Sequence, residues 1–203
     1  ESYRLGFLTE GALTSGFSGY EWWLGYDWFA TSNGLVGGQG NVPYHKPGIS
    51  NASLRNVQSE LVLLVPKPLA LQSTGYHPGQ TVGTELWLAN FTFGGYPRWT
   101  HAGTLTWSAA CVDQGGGSGV PFLQRSTTIT MGSIPQGTTQ LAANVSLTLP
   151  KQLPGPARAT TVLLTATFEV GGERFRNSWT LGMLPRTSAK PCRTPVFASI
   201  TYL

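Results

Sequence analysis

Paired carboxylates are the first chemistry this sequence raises. Glu21 and Asp27 flank a run of aromatic residues, and a general acid working with a base or nucleophile needs two carboxyl groups within about 5–9.5 Å of each other. Six residues along one strand span roughly 20 Å at about 3.3 Å per residue, so these two cannot act together from a single strand. The other acids, Glu60, Glu85, Asp113, Glu169 and Glu173, stand singly in strand or turn patterns, and no Gly-x-Ser-x-Gly elbow marks a nucleophilic serine. The three histidines, His45, His77 and His101, lack metal-ligand spacing, and two cysteines cannot form a structural zinc site alone. Neither a metal nor a cofactor is expected.

Cys111 and Cys192 are explained either by a disulfide or by two unrelated buried thiols. A bridge is the expected arrangement, because it would fasten the C-terminal tail, residues 187–203, onto the body of the protein. Three sequons, at Asn51, Asn90 and Asn144, fit a secreted, glycosylated chain. Asn144 alternates outward from Ala143 and Val145, and Asn51 opens a short helix. Asn90 shares the parity of the apolar Leu86 and Leu88, which makes it the poorest acceptor of the three.

The elements that must position these residues are mostly strands. With 26 Gly, 14 Pro and seven Trp but only 11% charged residues, the composition points to mainly β structure. Residues 1–15 read as the end of a helix, 18–29 as a strand buried on both faces, 30–48 as a loop and 51–58 as two helical turns. From residue 60 the apolar period becomes two, in segments 60–65, 81–91, 104–112, 125–131, 140–149, 161–170 and 175–181. Seven such strands fit a β-sandwich. Leu105, Trp107, Ala109 and Cys111, like Ala143, Val145, Leu147 and Leu149, should line its core. The glycine-rich 115–119 reads as a flexible hairpin loop and 150–156 as a stiffer connection.

The net charge of +4 arises from 13 Lys and Arg scattered among nine acidic residues, without the concentrated basic stripe that nucleic-acid binding takes. No run approaches the roughly 18 apolar residues of a membrane span. The start, Glu1-Ser-Tyr-Arg4, has no signal-peptide core, so a secreted chain of this kind is expected to have lost an upstream segment.

The order helix end, Gly19-Tyr-Glu-Trp-Trp23, Asn33-Gly loop, Lys46-Pro-Gly, short helix, Leu61-Val-Leu-Leu-Val65 and sandwich resembles the C-terminal third of family 2 glycoside hydrolases over nearly all of residues 1–185. The resemblance implies that residues 1–66 are the end of a (β/α)8 barrel, with 18–28 as its eighth strand, and that 67–186 are the immunoglobulin-like domain following it. It also implies that Trp23, in Trp23-Leu-Gly-Tyr-Asp27, walls a sugar subsite, since an indole face stacks on the C–H face of a pyranose. Trp22, Trp28 and Asp27 are further carbohydrate-binding candidates, against the plainer expectation that the tryptophans are core and Asp27 orders a turn. Glu10 would fall on the seventh helix, as a solvated surface residue.

In that family the two catalytic acids sit at the ends of strands four and seven, upstream of Glu1. One βα unit cannot bury its own apolar strand, so an upstream chain of the same precursor is expected to hold residues 1–60, with carbohydrate as ligand. No catalytic residue is expected in this chain. The competing readings are a non-catalytic structural or interaction protein of a cell-surface or matrix assembly, and a carbohydrate-binding module acting through Trp87, Trp99, Trp107 or Trp179.

Overall fold

The computed structural model describes residues 59–65, 75–92, 101–112, 118–130, 134–152 and 160–184, together with 10, 11, 13, 36–37, 44–45, 56 and 99. Nine strands lie in these residues: β1 (Val36–Gly37), β2 (Tyr44–His45), β3 (Leu61–Leu64), β4 (Thr81–Asn90), β5 (Ala102–Val112), β6 (Ser118–Thr130), β7 (Thr138–Thr148), β8 (Thr160–Val170) and β9 (Glu173–Met183). The protein is mainly β, as its composition predicts. β1 and β2 pair antiparallel by themselves, within the stretch expected to be a loop. The other seven form two antiparallel sheets, in the orders β3-β4-β7 and β6-β5-β8-β9. The chain changes sheet between β4 and β5, between β6 and β7, and between β7 and β8. Consecutive segments therefore end on opposite sides of one core.

That core is drawn from alternate residues of both sheets. Leu61, Leu63, Leu86, Leu88, Val145, Leu147 and Leu149 meet Leu105, Trp107, Ala109, Val162, Leu164, Phe168 and Leu181, all buried, with Cys111 and Ala143 packed at the margin. Both predicted inward faces are thus observed. Trp99, one of the tryptophans of the binding-module reading, is 6% exposed and meets the Phe175 ring edge-on at 5.4 Å between centroids. Burial of its large apolar surface outweighs the polarity of the surrounding loop sequence.

Two local devices shape the sheets. Between Leu86 and Trp87 the register with β7 shifts, so Leu141 faces Trp87 on the outer side instead of continuing the inward row of Ala143 and Val145. The β8–β9 hairpin turns through Gly171 and Gly172, both at positive φ (59° and 81°), as a tight two-residue turn requires. β6 begins seven residues earlier than its alternation suggests. Pro121 obscures the start, and it is accommodated because β6 is an edge strand with a register shift beside it.

β3 is buried along its whole length. Leu61 and Leu63 enter the sandwich, while Val62 and Leu64 join Leu13 and Ala89 in a second apolar cluster on the outer face, flanked by Trp87 and Phe91. Residues 61–64, on the N-terminal side of the expected division at residue 66, are therefore hydrogen-bonded into the sandwich sheet through β4. Glu10, Gly11 and Leu13 have helical backbone, as does Asn56. Among the described residues, no helix is long and apolar enough to cross a membrane.

Candidate functional site

The edge where the two sheets meet holds the most unusual polar group described. β9 presents its alternate residues Asn177 and Trp179 inward, at 6% and 7% exposure. Asn177 Nδ2 donates to the Leu63 carbonyl at 2.9 Å, tying the edge of β3 to β9. It also donates to Glu10 Oε1 at 3.2 Å, and Trp179 Nε1 donates to that same oxygen at 2.8 Å. Asn177 is held in turn by the Ser178 amide, which donates to its Oδ1 at 2.8 Å. One carboxyl oxygen from the helical segment thus bridges two donors on a strand roughly 170 residues away in sequence.

Glu10 is 6% exposed, which corrects the expectation of a solvated surface residue. The physical reason lies three residues on: Leu13 packs over Val62 and Leu64, and seating it carries Glu10 into the sandwich edge. Burial pushes the Glu10 carboxyl from an ordinary 4.5 up to about 7, against the downward pull of the Trp179 and Asn177 bonds. Trp179 and Asn177, an indole and an amide, donate hydrogen bonds to it but accept no proton at neutral pH. These two bonds hold the carboxyl group in place at the sandwich edge. Of the other acids described, Glu169 binds Arg174 Nε at 2.7 Å across the β8–β9 turn. Among the described residues no cluster of His, Cys, Asp and Glu could hold a metal ion.

The sugar-site candidates Trp22, Trp23, Asp27 and Trp28 lie outside the described residues, as do Asn51 and Cys192. Cys111 ends the inward row of β5, half-buried against the core. Asn144 is exposed on β7 opposite Glu85. Asn90 is 6% exposed; its Nδ2 donates to the Ile134 carbonyl at 2.9 Å, and its Oδ1 accepts from the Thr92 amide at 3.3 Å and the Thr92 hydroxyl at 2.9 Å. That sequon is a structural staple between the end of β4 and the turn before β7.

Of the tryptophans proposed for a binding module, Trp99, Trp107 and Trp179 are buried and offer no ring face to a sugar. Trp87 is half-buried on the outer face, its Nε1 donating to Glu85 Oε2 at 2.9 Å. The Glu10 joint escaped sequence reasoning because its members are far apart in the chain. The one available signal was Asn177, a polar residue on the inward parity of an apolar strand.

No family model and no curated protein matches the chain. Among solved structures, it resembles the sporulation control protein Spo0M of Bacillus subtilis (TM-score 0.35, 12% identity, 62% of this chain and 49% of that one). It also resembles the β-glucuronidase of Parabacteroides merdae in two structures. The one with glycerol in its active site gives a TM-score of 0.35 at 16% identity, over 61% of this chain and 14% of that one. The other gives 0.33 at 16% identity, over 62% and 13%. The chain thus spans about half of the first protein and about a seventh of the second, and overlaps of this size and score assign neither family nor activity.

Proposed function

We propose that this chain is the C-terminal part of an extracellular family 2 glycoside hydrolase-like protein. Residues 1–66 complete the wall of a (β/α)8 barrel, and the sandwich is the immunoglobulin-like domain behind it. The catalytic carboxylates are carried by upstream polypeptide of the same precursor. Trp23 lines the sugar subsite, with Trp22, Asp27 and Trp28 beside it.

The reading rests on the ordered motifs of residues 18–65, and the observation that carries it is the mode of attachment. A segment that the resemblance assigns to the barrel's seventh helix is fastened to the sandwich by a buried polar joint at Glu10 and an apolar one at Leu13, as a domain that buttresses a barrel would be. In the intact protein, Trp23→Ala should lower kcat/KM on aryl glycosides by roughly 5- to 30-fold, the worth of a stacking contact of about 1–2 kcal/mol. Unchanged kinetics would remove Trp23 from the site.

A second reading, a non-catalytic interaction protein, is favoured by one feature. Leu141 is 40% exposed beside Trp87 on the outer face of the three-stranded sheet. Under that reading, Leu141→Asp would weaken assembly without changing stability, as sedimentation would register.

A further inference from the structure

We infer that an N-glycan on Asn144 guards the β7 edge, keeping it from pairing with β7 of a second copy of this chain. A sheet edge presents unpaired N–H and C=O groups, and proteins blunt it with short strands, charges, proline or a covering segment. Among the described residues, three of the four sandwich edges carry such devices. β3 is only four residues long, Asn177 Nδ2 donates to its Leu63 carbonyl, and Leu13 covers its outer face. β9 carries exposed Arg174 and Arg176, and Tyr76 pairs with its end through the Gly182 carbonyl at 2.9 Å and the Leu184 amide at 2.8 Å. β6 contains Pro121, and its Arg125 is an exposed charge on the inward parity, opposite Trp107.

β7 has none of these devices. It runs for 11 residues without a charge or a proline, and in the described sheet it pairs with β4 on one side only. Its register shift lies before Ala143, so residues 143–148 form a regular stretch. Val145 and Leu147 there are buried, whereas Asn144, Ser146 and Thr148 are exposed. An antiparallel second copy keeps both buried rows on one side only where the paired residues share parity. With Val145 opposite itself, Asn144 therefore faces Ser146 of the second copy. Asn144 stands on the outer face opposite Glu85, in the middle of this regular stretch, and it opens the sequon Asn144-Val-Ser146. Neighbouring strands lie roughly 4.8 Å apart. A glycan at Asn144 overhangs that distance and takes the space of the incoming strand's outward side chains.

Two variants of the 203-residue chain, secreted with the wild type from a glycosylating host, test this. Ser146→Ala removes the sequon and leaves β7 uncharged, whereas Asn144→Lys removes the sequon but places a charge on the edge. Glycopeptide mapping reads occupancy of Asn144, sedimentation velocity reads self-association, and hydrogen exchange of residues 138–149 locates it. Wild type, occupied at Asn144, and Asn144→Lys should sediment alike. Ser146→Ala should form larger species at concentrations up to about 100 μM, with exchange in 138–149 slowed about tenfold or more. Insoluble Ser146→Ala beside soluble Asn144→Lys would support the same edge. A bare Asn144 in the wild type, equal behaviour of the two variants, or self-association that leaves 138–149 unchanged would overturn it. This role rests on the extracellular part of the proposed function. None of these readouts touches the barrel attachment or the catalytic carboxylates, so either reading can fail alone.

Discussion

Replacing Asn177 with leucine keeps the branched outline of the side chain but removes both of its donated hydrogen bonds at the sandwich edge. The Leu63 carbonyl loses a partner at 2.9 Å, and the Glu10 carboxyl loses one at 3.2 Å. A buried acceptor left short of a donor costs about 1–3 kcal/mol, and the apolar replacement returns roughly 1 kcal/mol by burying more carbon. With two acceptors affected, a net destabilisation of about 1–5 kcal/mol should follow. Its pH dependence has a defined sign. The Asn177 bond pulls the Glu10 carboxyl downward, so losing it pushes that carboxyl further above its position near 7 and penalises ionisation more. The variant's deficit should therefore be larger at pH 8 than at pH 5. Urea denaturation at both values gives the answer through the midpoint, provided the slope is unchanged. A deficit below about 1 kcal/mol, or one equal at the two pH values, would refute the geometry on which the joint rests.

Three further outcomes are expected. Gly103→Ala should cost about 1–3 kcal/mol in the same assay, because its Cβ would lie 2.3 Å from Phe168 Cζ and 2.8 Å from the Glu169 carbonyl, one fully buried and the other backbone of the paired strand; an unchanged midpoint would contradict the packing. Glycopeptide mapping of secreted protein should find Asn144 occupied and Asn90 bare, because a glycan on Asn90 Nδ2 would break its bond to Ile134 and force the side chain out of the core; occupancy at Asn90 in folded protein would overturn this. Non-reducing peptide mapping should join Cys111 to Cys192, and recovery of both as thiols would leave the tail without that anchor.

The sandwich was legible because its strands alternate so regularly. Leu105 to Cys111 and Ala143 to Leu149 show their buried faces residue by residue, and a period of two leaves little choice of side. What stayed hidden depends on contacts no local pattern encodes. The register shift at Leu86 and Trp87 moves Leu141 to the outer face although straight alternation would bury it. Trp99 sits in a polar, glycine-containing stretch that reads as a surface loop, yet Phe175, 76 residues later in the chain, provides a surface for it to pack on. Glu10 looked like an ordinary surface acid, and only the fold brings it beneath Asn177 and Trp179. Of the proposed sugar-site residues, all four fall outside the described part of the structure, so the site remains a reading of the motif around Trp23.

In its native setting the chain is proposed to stay bound to upstream polypeptide of the same precursor. The most direct measurement is immunopurification from the source with an antibody to the sandwich, followed by peptide mapping of all recovered polypeptide and assay on aryl glycosides. Upstream polypeptide of the same precursor carrying both carboxylates should be recovered, with hydrolysis by that assembly and none by residues 1–203 alone. Recovery of the chain with no upstream polypeptide, or hydrolysis by residues 1–203 by themselves, would contradict it.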